Sequence, residues 1–124
     1  MPELERMTAT RIVATQSALD ALQSAMLMRI ATDEAMVIGS FSDALPSDPH
    51  AIVEREDGFT GVWLSAELAL AFLEKSCEWE LPQERPAFAQ GAVAGIPTKL
   101  WFEPDRVLFL VPAPYAHDFE ERIS

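Results

Sequence analysis

The pattern of apolar and polar residues is clearest between Gly58 and Lys99, where it predicts a strand, a helix and a second strand. From Phe59 to Leu64 the side chains alternate between two faces, which is typical of a strand. Ser65 is a good N-cap, and apolar residues then recur at helical spacing. They are Ala66, Ala69, Leu70, Leu73 and Cys77, with Leu68 and Phe72 beside them. This stripe is wider than one sheet face needs, which indicates that the helix also meets something else.

The first part of the chain has a weaker pattern. Residues 1–7 predict a frayed polar arm. Residues 11–14 could begin a short strand, whereas residues 17–25 have helical spacing. We predict a helix there, with Ser17 as its N-cap.

Short apolar runs separated by turn residues predict antiparallel pairs. Residues 26–30 and 35–38 flank Thr32-Asp33-Glu34, and this arrangement is typical of a hairpin. Residues 51–56 predict a strand that turns tightly at Asp57-Gly58 into the next strand.

The C-terminal third predicts another hairpin and a last helix. Residues 91–102 and 106–111 flank the turn Glu103-Pro104-Asp105. Pro97 lies inside the first of these strands and implies an edge position or a bulge there. The apolar stripe of the last helix comprises Tyr115, Ala116, Phe119 and Ile123.

The order of these elements predicts one α+β domain spanning residues 1–124. We expect a mostly antiparallel sheet with two to three helices packed on it. From Gly58 onward the series strand, helix, strand, strand, helix is most of a ferredoxin-like arrangement.

The composition of the chain narrows the range of possible functions and partners. The chain has 124 residues, 20 acidic and 9 basic, for a net charge of −11. Such a surface repels phosphate backbones and anionic lipids, so we expect no nucleic-acid and no membrane partner. Cys77 is the single cysteine, which excludes an internal disulfide. The chain lacks both a membrane-spanning apolar run and the residue order of a signal peptide, so we expect a cytoplasmic protein.

Few residues could carry chemistry, and each has a simpler interpretation. Cys77 ends the central helix and is more typical of a small packed residue than of a nucleophile. His117, Glu120 and Glu121 have the spacing of a helical metal site, but a solvated acidic face is commoner. The sequence therefore predicts no catalytic residue, no cofactor-binding residue and no metal site.

Four stretches carry a resemblance to a known family. They are R-I-A-T-D-E-A-M-V-I at 29–38, G-V-W-L-S-A-E-L-A-L-A-F-L-E-K-S-C-E-W-E-L at 61–81, F-A-Q-G-A-V-A-G-I-P-T-K-L-W at 88–101, and D-R-V-L-F-L-V at 105–111 with its trailing helix Y-A-H-D-F-E-E-R-I at 115–123. With them the chain resembles the gamma subunit of heterotetrameric sarcosine oxidase, in the superfamily of folate-binding aminomethyltransferase-like domains. It departs from that family at Ala31-Thr32, where Gly-Pro is usual, at Ala35, where an aromatic is usual, and in the short linker 40–49. It is similar to a divergent, shortened member.

The resemblance implies a non-catalytic accessory subunit of an oxidoreductase complex. Such complexes oxidatively demethylate secondary amines such as sarcosine or N-methylglutamate and pass the carbon to tetrahydrofolate, in one-carbon metabolism. Flavin, NAD and tetrahydrofolate are then expected in the partner subunits, with none bound by this chain alone. The implied partners are flavoprotein large subunits, or a second copy of the chain when it is isolated.

The over-wide stripe suggests where a partner would bind. We expect Leu68 or Phe72, together with Trp79 just beyond the helix, to line the covered surface, because tryptophan is enriched at binding hot spots. Alternatively, the connector from Pro82 to Phe88 folds back over this flank, with Phe88 as its plug.

Two other functions remain open. One is a free-standing module that binds a folate-like small molecule, for which Asp33, Glu34 and Glu54 are the available carboxylates. The other is a small hydrolase or transferase. It is the least favoured, because the sequence has no pattern of a nucleophile beside a base.

Overall fold

The computed structural model describes residues 3–22, 26–39 and 48–123. Within these residues the chain forms seven strands, three α-helices and one 3₁₀ turn. The strands are β1 (Glu5–Val13), β2 (Leu27–Ala31), β3 (Glu34–Ile38), β4 (Ile52–Ser65), β5 (Ala87–Val93), β6 (Ile96–Phe102) and β7 (Arg106–Pro112). The helices are α1 (Gln16–Asp20), α2 (Ala66–Ser76) and α3 (Ala116–Ile123), with the 3₁₀ turn at Ala113–Tyr115.

The chain forms two compact units. The N-terminal unit comprises Met7–Asp57, and the C-terminal unit comprises Gly58–Ser124 together with Met1–Arg6. The strand pairs within the units are antiparallel: β1–β3 and β2–β3 in the first, and β4–β7, β6–β7 and β5–β6 in the second. The coarse prediction, a mostly antiparallel sheet with two to three helices, is therefore confirmed.

In the N-terminal unit, β3 lies between β1 and β2. The predicted hairpin is confirmed, since β2 and β3 pair around Thr32 and Asp33. The register shifts between Arg29 and Ala31, where the ladder has an irregularity. One cluster of buried residues in this unit comprises Ile12, Ala14, Ala18, Leu19, Ala35 and Val37, and Ala9, Met28 and Met36 are buried as well.

Two expectations for the start of the chain were wrong. Strand β1 begins at Glu5, inside the segment that the sequence assigned to a frayed arm, and it is far longer than residues 11–14. Helix α1 is shorter than predicted and is capped by Thr15, whose hydroxyl accepts from the Ala18 amide. Ser17 instead lies within the helix. The predicted helix also included residues 23–25, which lie outside the described residues.

The tight turn predicted at Asp57-Gly58 is also wrong. Strand β4 continues through these two residues for fourteen residues in all. Two runs joined by Asp-Gly form a hairpin only if they pair with each other. Here the second run, Phe59 to Ser65, pairs with β7 instead.

In the C-terminal unit the strand order is β4-β7-β6-β5. Helices α2 and α3 pack on one face of this sheet through Leu73 and Phe119. Phe119, Phe109 of β7 and Phe72 of α2 have ring centroids about 6 Å apart, within the range for favourable aromatic pairs. The whole of Val107 to Val111 is buried, so side chains on both faces of β7 are shielded from water.

The predicted strand over residues 91–102 is in fact a hairpin. Ala94 and Gly95 form its turn, with φ angles of 51° and 79°. Alanine rarely adopts positive φ, so the sequence signal for this turn is weak. Pro97 lies beside the turn, opposite Ala92, whereas β7 pairs with β6 only from Lys99 onward. The missing amide of Pro97 therefore interrupts no bond to β7.

The junction between β4 and α2 is as predicted. Val62 and Leu64 are buried on the helix-facing side of the sheet. The strand ends at Ser65, whose hydroxyl accepts from the Leu68 amide and caps α2. This cap and Glu67 in the first turn both stabilise the N-terminus of the helix.

Candidate functional site

An open groove of about 420 Å³ lies on the sheet of the C-terminal unit, and we call it the Phe59 groove. It is lined by Phe59, Gln90, Gly91, Ala92, Gly95, Pro97, Thr98, Lys99 and Pro112. Partners directly opposite in antiparallel strands share a sheet face, and the registers of β4 to β7 place Phe59, Gln90, Lys99 and Pro112 on the same one. This face is opposite to the one that α2 and α3 cover.

The walls of the Phe59 groove are mostly apolar, and a lysine lies among them. The Phe59 ring and two proline rings supply the apolar surface. The Lys99 ammonium lies 5.2 Å from the centroid of the Phe59 ring, within the range of a cation–π contact. Among the described lining residues Lys99 is the only charged one, although the chain has 20 acidic and 9 basic residues.

Trp79 packs against the hairpin formed by β5 and β6, on the sheet face opposite to the Phe59 groove. A Cβ atom on Gly91 would lie 2.7 Å from the Trp79 ring, so only glycine allows the indole to lie this close. The indole N–H donates to the Ala92 carbonyl over 2.8 Å. Two further bonds hold the turn: the Ala94 amide donates to the Ser76 carbonyl, and Arg122 donates to the Ala94 carbonyl.

None of the sequence patterns described above predicts this site, and none gives a role to Gly91 or Lys99. Glycine inside a strand often marks the close approach of another group, and that signal could have pointed to Trp79. No comparable signal joins Phe59 to Lys99, because they are brought together only by the pairing of β4, β7 and β6.

The three residues predicted for a partner surface lie in different environments. Leu68 is 62% exposed on α2. Phe72 is half-buried and packs on Phe109 and Phe119. Trp79 is half-buried and bonded to Ala92. Leu68 is thus the member of the set that offers apolar surface.

The connector from Pro82 to Phe88 does not place Phe88 over the flank of α2, as the alternative prediction had it. Phe88 lies opposite Trp101 in the β5–β6 register, on the sheet face away from α2. Leu81 is the connector residue that packs against the core on the α2 side. Arg85 also holds the connector, since its guanidinium lies 4.6 Å from the Phe102 ring centroid. Phe88 is therefore not a plug over the flank of α2.

The residues considered for chemistry have local structural partners. The Cys77 thiol is half-buried and donates to the Trp79 carbonyl over 3.5 Å. His117 lies 3.1 Å from a Glu121 carboxylate oxygen, and both side chains are well exposed. In residues 3–22, 26–39 and 48–123 no group of three or more potential ligands could hold a metal ion.

The carboxylates considered for a folate-like ligand lie in the N-terminal unit. Glu34 and Glu54 both accept from Arg11, over 3.1 and 2.8 Å. Hydrogen bonds from Arg11, first to Glu34 and then to Glu54, raise the pKa of its guanidinium above its ordinary value. The side chain of Arg11 thus links β1, β3 and β4 within this unit.

In the C-terminal unit, the ion pair between Arg106 and Glu103 contacts two tryptophans. The Arg106 guanidinium lies 3.7 Å from the Trp63 ring centroid and donates to Glu103 over 2.8 Å. Glu103 also accepts from the Trp101 indole over 3.1 Å. The bond from Arg106, aided by the one from Trp101, lowers the pKa of the Glu103 carboxyl below its ordinary value of 4.5.

No protein-family model matches the chain, and no curated protein matches it either. None of the helices described here is long and apolar enough to cross a membrane.

Proposed function

We propose that the protein is a non-catalytic accessory subunit of a multi-subunit, amine-oxidising enzyme of the sarcosine oxidase type. The observation that carries this proposal is the exposed apolar surface of α2, where Leu68 is 62% and Leu70 is 42% exposed. The resemblance of residues 29–123 to the gamma subunit of sarcosine oxidase supports the choice of complex. Its flavin, NAD and tetrahydrofolate would be bound by the partner subunits, and the complex would be cytoplasmic.

The two exposed leucines lie on both flanks of the buried face of α2. Ala69 and Leu73 are fully buried and mark the centre of that face. At about 100° per residue, Leu68 and Leu70 project roughly a quarter turn to either side of it. The apolar surface is thus wider than the sheet can cover, as the sequence indicated, and a partner subunit would cover the remainder.

The same proposal includes a distant relation to the ferredoxin-like core of aminomethyltransferase-like domains. The elements of the C-terminal unit follow the order of that core: β4, α2, the later strands and then α3. The β5–β6 hairpin supplies one strand more than the sequence predicted. An accessory role also fits the local partners of Cys77 and His117, whose contacts are structural.

Co-purification tests this function. The tagged chain, expressed in its native host, should retain a partner that carries flavin absorbance. Leu68→Glu should release that partner while the circular dichroism spectrum stays unchanged, because the side chain is exposed. Ala71→Glu is the matched control on the outward face of α2, where a charge should be tolerated. Retention of a flavoprotein by Leu68→Glu, or the absence of any flavoprotein, would contradict the proposal.

A second measurement uses the chain alone. With flavin, folate and sarcosine supplied, the purified protein should show no amine-dependent oxygen uptake, because the proposal assigns the catalytic groups to the partner. Turnover by the pure chain would overturn the accessory role.

A further inference from the structure

We propose that a cleft at the C-terminal end of α2 binds a small zwitterion, a free amino acid with an apolar side chain. The cleft lies between the last turn of α2, the residues just after it and the turn of the β5–β6 hairpin, and we call it the Trp79 cleft. Its volume of about 480 Å³ falls in the range of small-molecule sites, roughly 300–1,000 Å³. It does not include the exposed leucines of α2, so the site is independent of the accessory function.

The Trp79 cleft presents one positive and one negative side chain. Lys75 and Glu78 both line it, and both are exposed. Neither forms an ion pair with any residue that the structure describes, so the two charges do not neutralise each other. A lysine in the last turn of a helix is common by itself, because the helix dipole favours it there. A lysine that shares a cleft with an opposite charge is also complementary to the carboxylate and the ammonium of an amino acid.

Trp79 supplies the apolar part of the cleft. Its side chain is half-buried, and one edge of its ring packs on Gly91. The indole N–H, which is the only donor of this side chain, is already bonded to the Ala92 carbonyl. What the indole still offers to a ligand is therefore apolar surface, which suits an alkyl side chain better than a further polar group.

The walls of the cleft are fixed before any ligand binds. The Ala94 amide donates to the Ser76 carbonyl and ties the hairpin turn to the end of α2. Arg122 donates to the Ala94 carbonyl and ties the same turn to α3. Such a preorganised site lowers the entropy that is lost on binding.

The two lysines of the chain, Lys75 and Lys99, provide a direct test. Reductive methylation with ¹³C-formaldehyde gives each lysine an NMR signal and keeps its positive charge. Titration with L-leucine should shift the Lys75 signal to saturation and leave the Lys99 signal in place.

Three further probes each lack one part of leucine. The first, 4-methylpentanoate, lacks the ammonium, and the second, 3-methylbutylamine, lacks the carboxylate. Each should bind about three- to tenfold more weakly than leucine, the effect of losing one charged contact at a partly exposed site. Glycine keeps both charges without the alkyl group and should bind more weakly than leucine too.

Variants assign each charge of the ligand to its side chain. Glu78→Gln should abolish the preference for leucine over 4-methylpentanoate, and Lys75→Met should abolish the preference over 3-methylbutylamine. Binding is followed by the amide signals of Ala94 and Gly95. Lys75→Arg keeps the positive charge and should keep both preferences. Glu80→Gln, at an exposed carboxylate that does not line the cleft, is the matched control and should bind leucine as the unmodified chain does.

Three results would overturn the proposal. They are the lack of a saturable Lys75 shift with leucine, equal binding of leucine and its two singly charged analogues, and the same loss of binding in Glu80→Gln as in Glu78→Gln.

Discussion

The two units of the chain are held together by different interactions. The core of the C-terminal unit contains Phe102, Phe109 and Phe119, all fully buried. The largest fully buried side chains of the N-terminal unit are Ile12, Leu19 and Met28, none of them aromatic, and several alanines are buried beside them. Since apolar burial contributes about 25 cal/mol per Å², the larger side chains give the C-terminal unit more stabilisation per residue.

Both units contain ion pairs, but those described in the C-terminal unit, Arg106–Glu103 and His117–Glu121, join residues three or four positions apart. In the N-terminal unit Arg11 bonds to two glutamates on other strands, and Arg29 bonds to Asp20 of α1. These contacts are partly exposed, and solvent and salt weaken such pairs. We infer that the C-terminal unit, which carries the Phe59 groove and the exposed face of α2, has the more stable core. Sites that need fixed geometry benefit from rigid support.

The largest expected effect comes from the aromatic core. Phe119→Ala should reduce the free energy of unfolding by about 3–5 kcal/mol, because a fully buried ring is replaced by a cavity. Leu19→Ala, also fully buried, should cost about 2–3 kcal/mol in the N-terminal unit. Urea denaturation measures both values. Tyr115→Ala, at a side chain 40% exposed, is the control and should cost less than about 1 kcal/mol. A larger loss for Leu19→Ala than for Phe119→Ala would reverse the comparison.

A single methyl group at Gly91 should have the next largest effect. In Gly91→Ala the new Cβ would lie 2.7 Å from the Trp79 ring, so the indole must move, at a cost of about 1–3 kcal/mol. Tryptophan fluorescence during urea unfolding reports both the cost and the displacement. In a Trp79→Ala background the same substitution should cost much less, because the clash is absent. Gly39→Ala in the N-terminal unit is a useful contrast: no atom lies within 4 Å of its Cβ, so any cost there arises from its φ of +93° alone.

Cys77→Ala should have a smaller effect. The thiol is half-buried at the edge of the C-terminal core, so its loss should cost about 1 kcal/mol, the scale of a small truncation. Partner retention in the co-purification experiment should be unchanged. An alanine variant of normal stability that abolished the activity of the complex would instead identify a reactive thiol.

The smallest effect concerns the pH dependence of stability through Glu103. Its pKa is lowered in the folded chain, so its contribution to stability is fully present above the unfolded pKa. That contribution is lost as the pH falls below about 4.5 and through the folded pKa. The stability difference between the unmodified chain and Glu103→Gln should therefore shrink with acidification, and NMR titration should place the Glu103 carboxyl pKa below 4.5. A carboxyl that titrates at or above 4.5 would contradict the bonding to Arg106 and Trp101.

What the sequence could predict depended on how local each signal is. The passage from β4 through Ser65 into α2 was predicted because alternation, N-cap and helical spacing lie within twenty residues of one another. The turn at Glu103-Pro104-Asp105 and the helix carrying Phe119 have equally local signals. Thr15 was missed as a cap because Ser17 offers the same hydroxyl two residues later.

The errors arose where pairing across the sheet overrides a local preference. Asp57-Gly58 is a strong turn signal, but the residues after it pair with β7, so β4 continues. Ala94 adopts positive φ although alanine disfavours it, and this divides the predicted strand at 91–102. The Phe59 groove could not be predicted, because Lys99 and Phe59 are forty residues apart and meet only in the folded sheet.

The contact between Trp79 and β5 also bears on aggregation. Strand β5 is the outermost strand of the C-terminal sheet, and exposed outer strands can recruit a strand from a neighbouring molecule. Here the carbonyls of Ala92 and Ala94 already accept from Trp79 and Arg122, and the Ala94 amide already donates to Ser76. A second molecule would therefore find these groups occupied, and we expect this end of β5 and the turn after it to recruit no further strand.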